Sequence, residues 1–197
     1  MRTLIVSLRV TLLTLLLTGL AYPLLVTGLA QVLFPGAANG SVAKDEAGRV
    51  VGSELIAQPF TSPAYFWPRP SAAGDNGWDA ANSSGSNLGP TSKKLHDRAA
   101  ADVERLKKAN PGAPEQVPAE LVTTSGSGLD PHLSPEALLW QLPRVAVARG
   151  VSAERIRALV GDRVQGRDWS LFGEPRVNVL LMNLALDRQF GRPAEHP

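Results

Sequence analysis

Ser127, Asp130 and His132 put a hydroxyl, a carboxylate and an imidazole into one short stretch, SGSGLDPH, and these are the side chains from which a serine hydrolase is assembled. Such a triad works through hydrogen bonds, nucleophile to base and base to orienting acid. Residues adjacent on one tight turn seldom achieve that mutual geometry, and neither glycine-serine turn of this chain has the G-x-S-x-G frame of a nucleophile elbow. Turn chemistry is therefore the favoured reading, and a membrane-tethered hydrolase using Ser127, Asp130 and His132 is one alternative. A stand-alone binding module is the other. The remaining histidines, His96 and His196, are widely scattered and give no zinc-ligand spacing. No G-x-x-x-x-G-K-S/T loop occurs, so the chain does not read as an autonomous nucleotide triphosphatase. It reads as a domain with no catalytic residues, metal or cofactor of its own.

The same stretch has an earlier echo. Ser84 to Pro90 reads SGSNLGP and Ser125 to Pro131 reads SGSGLDP, so the frame S-G-S-x-L-x-P occurs twice. In each copy the glycines allow left-handed backbone, the serine hydroxyls can bond nearby amides, and a proline closes the turn ahead of a helical segment. Two such turns lying side by side would offer backbone amides to an anion or to a partner's loop. The candidate partner-binding residues are Ser84, Gly85, Ser86 and Asn87 from one copy and Ser125, Gly126, Ser127 and Gly128 from the other.

The elements that must position these turns begin with an anchor. Between Val10 and Phe34 the sequence VTLLTLLLTGLAYPLLVTGLAQVLF carries no charge, and the first acid comes only at Asp45. A bilayer core needs about 20 apolar residues, whereas the apolar core of a cleaved signal peptide runs to about 7–15, so an uncleaved transmembrane helix is expected. Pro23 predicts a kink in it, tolerated if neighbouring helices or threonine hydroxyls satisfy the freed carbonyls. Gly19, Pro23 and Gly28 are the candidate positions for packing against another transmembrane helix. Arg2 and Arg9 on the short side place the N-terminus in the cytoplasm and everything after Pro35 outside it.

Those two arginines also account for the basic balance. The chain has 20 Lys+Arg and 18 Asp+Glu, and every acid lies beyond the anchor with the other 18 bases, so the outer part is formally neutral. That leaves no basic patch with interleaved aromatics to bind nucleic acid. With no cysteine, neither disulfides nor thiolate metal sites hold the outer part, which depends on its core.

In the outer part, Ser41–Lys44 and Arg49–Ala57 predict a hairpin about the turn Asp45–Gly48. The Gly/Pro/Ser/Asn-rich stretch from Gln58 to Pro90 holds Phe60, Tyr65, Phe66, Trp67 and Trp78, too many large aromatics to leave in water, and is expected to be ordered loop packed on the core. Leu95, Ala99, Val103 and Leu106 recur at helical spacing in a helix from Thr91 to about Ala109, and that stripe is read as core. Glu120–Thr123 is expected as a short strand or extended entry to the second turn. Ser134-Pro135-Glu136 opens a helix that reaches Gly150, with a kink or break at Pro143. Ser152 opens another, with Val151 and Ile156 as a staple, a stripe of Ile156, Leu159, Val160 and Val164, and Gly166 as its stop. Arg176–Val179 reads as a strand turning into a last helix, Leu180–Asp187. The fold class is thus α+β, with a single transmembrane helix (1–34), one periplasmic domain (35–190) with a small sheet or hairpin and about four helices, and a C-terminal tail (191–197).

Taken together, YFWPRPSA at 65–72, NSSGSNLGPT at 82–91, VPAELVTTSGSGLDPHLSP at 117–135, QLPRVAVARG at 141–150 and GEPRVNVLLMNLAL at 173–186, behind one N-terminal span, resemble the C subunits of Kdp potassium-transporting ATPases, the KdpC family. Residue 68 is Pro where the family pattern commonly has Gly. The resemblance implies a subunit that is not catalytic by itself, in a complex of the bacterial inner membrane. Its partners would be a channel-like subunit that binds potassium, a P-type ATPase subunit that hydrolyses ATP and a small single-span subunit. It implies the role of a catalytic chaperone that raises the ATP affinity of the hydrolysing subunit, with ATP and potassium handled by the complex. Positive-inside charge places the glycine-serine turns in the periplasm, away from ATP. An effect on ATP affinity is then expected as coupling through packed transmembrane helices.

Overall fold

A computed structural model describes residues 1–193; residues 194–197, with His196 and the end of the expected tail, lie outside the described residues. The chain divides into two compact units, Met1–Val42 and Ala43–Pro197.

In the first unit, helix α1 (Arg2–Leu16) passes through a π-helical turn, Leu17–Ala21, into α2 (Tyr22–Leu33), and a short α3 (Pro35–Ala38) follows. The continuous run Arg2–Leu33 has a mean hydropathy of 2.1 and is long and apolar enough to cross a membrane. Pro23 is accommodated by the π turn. Its ring would press on the carbonyl four residues back, and the wider turn, in which the Tyr22 amide reaches the Leu17 carbonyl, relieves that contact without a break. Thr14 and Thr18 donate their hydroxyls to the carbonyls of Val10 and Thr14 at 2.7 and 2.8 Å, so neither leaves a polar group unpaired on the helix surface. A Cβ at Gly28 would meet nothing within 4 Å, and one at Gly19 only Leu15 Cδ1 at 3.6 Å. Neither glycine is required by packing within this chain.

The second unit is α+β. Strands β1 (Val42–Lys44) and β2 (Val50–Ser53) form a two-stranded sheet about the expected Asp45–Gly48 turn. No helix or strand occurs from Glu54 to Ser92, yet Phe66 and Ala73 are fully buried, and Phe60 and Trp67 pack against the core. The aromatics do hold this loop on the protein.

Helix α4 (Lys93–Ala109) starts at Ser92, whose hydroxyl accepts the Leu95 amide. Its apolar stripe is core only near the end: Leu106 is buried and Val103 packs on the cluster, while Leu95 and Ala99 are half-buried. Amphipathicity specifies a face of a helix but not how much of that face another element covers. The expected strand at Glu120–Thr123 is instead a 3-10 turn, Ala119–Leu121, that buries Leu121 and turns the Glu120 carboxylate onto the amide and hydroxyl of Ser134.

Strand β3 (His132–Leu133) pairs antiparallel with β4 (Val177–Asn178), His132 opposite Asn178 and Leu133 opposite Val177. Helix α5 (Pro135–Arg149) has Ser134 as its cap, its hydroxyl accepting the Ala137 amide, and ends on left-handed Gly150. It runs through Pro143 unbroken, with Leu142 and Arg144 buried on either side of that position. Helix α6 (Ala153–Asp162) buries Ile156, Leu159 and Val160 but stops before Val164, which is exposed. The chain leaves the helix short of Gly166 because Gln165 pairs with Arg176 through bonds of 2.8 and 3.0 Å that open a hairpin. Helix α7 (Val179–Phe190) follows, capped by the Asn178 side chain on the Leu181 amide. Phe66, Leu138, Val145, Ile156, Met182 and Leu186 form the centre of one core.

Candidate functional site

The two glycine-serine turns lie against each other. The Ser84 amide donates to the Ser127 carbonyl at 3.0 Å, and Ser83 Oγ donates to the same carbonyl at 3.0 Å. Gly128, at φ +68°, is where they meet most closely: a Cβ there would lie 2.5 Å from the Ser84 carbonyl oxygen and 2.8 Å from the Ala73 nitrogen. Ser71 ties the arrangement to the loop by donating its hydroxyl to the Gly128 carbonyl at 2.6 Å while accepting the Trp78 and Ala73 amides.

This contact consumes amides that an anion would need. The Ser84 N–H is taken by Ser127, the Gly128 N–H by the Ser125 carbonyl, and the Leu129 N–H by Ser127 Oγ at 3.1 Å. The outward groups are side chains and glycine backbone: Asn87, Gly126 and Ser127 are exposed, Ser86 and Ser125 half-buried. With these amides already bonded, the turns do not form an anion nest.

The hydroxyl, carboxylate and imidazole of the same stretch are not assembled as a triad. Asp130 faces Arg69, 3.0 Å from its Nη1, and accepts the His132 amide at 3.0 Å, with His132 Nδ1 3.5 Å away. Burial alone would raise the Asp130 carboxyl, but hydrogen bonds from the His132 side chain and amide and the charge of Arg69 outweigh it and hold the carboxyl below its usual value. Ser127 Oγ caps the Leu129 amide and lies 3.4 Å from Ser125 Oγ, and among the described residues no hydrogen bond joins it to His132. A nucleophile without a base does not support acyl transfer.

A second construction joins the loop to the helices. Asn183 of α7 accepts the Phe66 amide at 2.9 Å and donates to the Phe66 carbonyl at 3.0 Å, and Gln141 of α5 does the same for Trp67 at 2.9 and 3.1 Å. Each carboxamide thus stands in for a neighbouring strand. Arg144 adds bonds to the carbonyls of Pro63 and Tyr65 and lies 3.9 Å over the Trp67 ring; its burial brings its pKa down to about 10. Arg149 donates to the Ala64 carbonyl and to Asp187, which also accepts the Tyr65 hydroxyl. None of these side chains is among the sequence-derived site residues. Their signal was one carboxamide inside each of two apolar helical runs, at Gln141 and Asn183, where only a buried polar partner justifies it.

Beside this junction lies an open groove of about 1010 Å3, walled by Phe60, Leu180 and Leu184 and by the charged set Arg149, Asp187 and Arg192. The start of the expected tail lines it too: the Gly191 carbonyl accepts from Arg149, and Arg192 pairs with buried Asp45 at 2.8 Å.

Residues 4–188 match the family model described as KdpC: K+-transporting ATPase, c chain. A potassium-transporting ATPase KdpC subunit of Myxococcus xanthus is 66% identical over 189 residues, covering 96% of this chain and 89% of the relative. Subunits of the same name from Methylobacterium nodulans and Rhodospirillum rubrum are 58% and 59% identical, covering 90% and 89% of this chain and 92% and 90% of theirs. An alignment this long and this similar leaves one assignment, and the chain belongs to the KdpC family.

Proposed function

We propose that this chain is a non-catalytic accessory subunit of an ATP-driven potassium uptake complex of a bacterial inner membrane. The observation that carries the reading is the family match over nearly the whole chain, span and outer domain together. The relatives are named as subunits of a potassium-transporting ATPase, which supports a place in such a complex. The partners in this reading are a channel-like subunit that binds potassium, a subunit that hydrolyses ATP and a small single-span subunit. The apolar helix tethers it, with Arg2 and Arg9 on the cytoplasmic side and the domain from Ala43 in the periplasm. ATP and potassium are handled by the partners. The chain aids assembly and raises ATP affinity in the hydrolysing subunit through helix packing in the membrane, which is a coupling free energy and needs no nucleotide contact.

The paired turns favour this reading over hydrolysis, because Ser127 is held by the Leu129 amide and not by His132. The test is the ATP dependence of potassium-stimulated hydrolysis in the solubilised complex with and without this chain. Loss of the chain is expected to raise the KM for ATP. An unchanged KM in an intact complex would end the chaperone role, and digestion of the domain only in inverted vesicles would reverse the topology.

A further inference from the structure

The segment Gln165–Arg176 is a hairpin that leaves its three large apolar residues exposed. Bonds of 2.9 Å join Asp168 and Phe172 in both directions, leaving Trp169, Ser170 and Leu171 as the loop. Trp169 is 90% exposed, Leu171 69% and Phe172 57%. Trp169 and Ser170 sit at φ +52° and +60°, a left-handed conformation that is an outlier for a residue as bulky as tryptophan. Among the described residues no burial offsets that strain, since the indole is 90% exposed and the ring contact it makes is with Phe172, edge-on at 6.0 Å. All four charged residues of the segment pair with one another, Arg167 with Glu174 at 2.7 Å and Arg176 with Asp168 at 3.2 Å.

We infer that this hairpin is a docking knob, and that its occupant is an apolar socket on another subunit of the complex, with an acceptor at its rim for the indole N–H. The inference rests on the accessory-subunit reading. Charge decides between protein and lipid. A tip that seeks anionic headgroups carries unpaired Lys or Arg, whereas here every cation is neutralised on the hairpin itself, which suits an uncharged socket and adds no attraction to a bilayer. Backbone strain points the same way, because a bilayer interface accepts aromatic residues in many arrangements, while a shaped pocket rewards one held in advance. Trp169 is the anchor, and Leu171 and Phe172 complete the apolar face.

The test is carried out on the full chain with its partner subunits. Trp169→Ala is expected to cut recovery of the ATPase subunits with this chain at least about tenfold, as loss of a central interface tryptophan does. Trp169→Gly relieves the left-handed strain, so it should lose the partners equally while leaving the melting temperature of the purified chain unchanged or higher. A photo-crosslinking amino acid at Leu171 should attach to a partner subunit. Full recovery with either variant, or crosslinks only to lipid or to a second copy of this chain, would overturn the knob. If the unaltered chain itself recovers no ATPase subunit, the accessory reading falls, and the inference with it.

Discussion

Ser84 and Ser127 are joined by a 3.0 Å hydrogen bond from the amide of the first to the carbonyl of the second, and this single bond sets two copies of one turn face to face. It explains why the second copy has glycine at 128. With the Ser84 carbonyl and the Ala73 amide both within 3 Å of where a Cβ would stand, only glycine fits.

Gly128→Val should therefore destabilise the second unit by at least about 3 kcal/mol, from left-handed backbone and from collision with main chain. Gly126→Ala, whose Cβ would meet nothing within 4 Å, should be nearly neutral. Thermal unfolding of the two variants makes the comparison, and equal melting temperatures would mean the turns are not in contact.

Ser86→Ala together with Ser127→Ala tests the turns as a partner surface. The hydroxyl of Ser127 holds one amide on an exposed turn, so stability should fall by only about 1 kcal/mol, while assembly or potassium-stimulated hydrolysis should fall further than the folded fraction. Normal assembly in the double variant would leave the turns a purely structural role.

Asn183→Leu removes both partners of the Phe66 backbone at nearly constant volume. Two buried polar groups are left unsatisfied, and the expected cost is about 2–5 kcal/mol. Hydrogen exchange should show early loss of protection at the Phe66 amide. Retained protection would show that another group replaces the carboxamide.

Acid should loosen the junction between the first turn and the end of α7. Burial would raise the Asp45 carboxyl, but the Arg49 amide and the guanidinium groups of Arg192 and Arg49 outweigh it and bring its pKa down to about 2. A lowered folded-state value means stability that is full above the unfolded carboxyl's value, about 3.9, and is lost as pH falls through the folded value. The melting temperature should thus decline between about pH 4 and 2 on this account, and Asp45→Asn should flatten that decline while lowering stability at neutral pH.

Gly28→Leu tests the anchor. Open space around Gly28 means the larger side chain fits on this helix, so membrane insertion should persist, whereas close packing with a partner helix should weaken and co-purification should drop. Undiminished co-purification would place this face against lipid.

What could be read from the sequence was local. The apolar run, the turn after Lys44, the cap at Ser134 and the stop at Gly150 each depend on residues within a turn or two of one another, so side-chain chemistry and spacing suffice to place them. The repeated S-G-S frame was equally visible, as was the need for the aromatic loop to pack. Tertiary structure alone decided the rest, because the deciding partners are remote in sequence. It placed Ser84 against Ser127, Asn183 on Phe66 and Arg192 on Asp45. It ended α6 at Asp162 by giving Gln165 a partner at Arg176, and left Leu95 and Ala99 of the α4 stripe only half-buried. It also separated Ser127 from His132, since a hydroxyl three residues from a carboxylate and five from an imidazole takes whichever donor the turn brings nearest, and here that is the Leu129 amide.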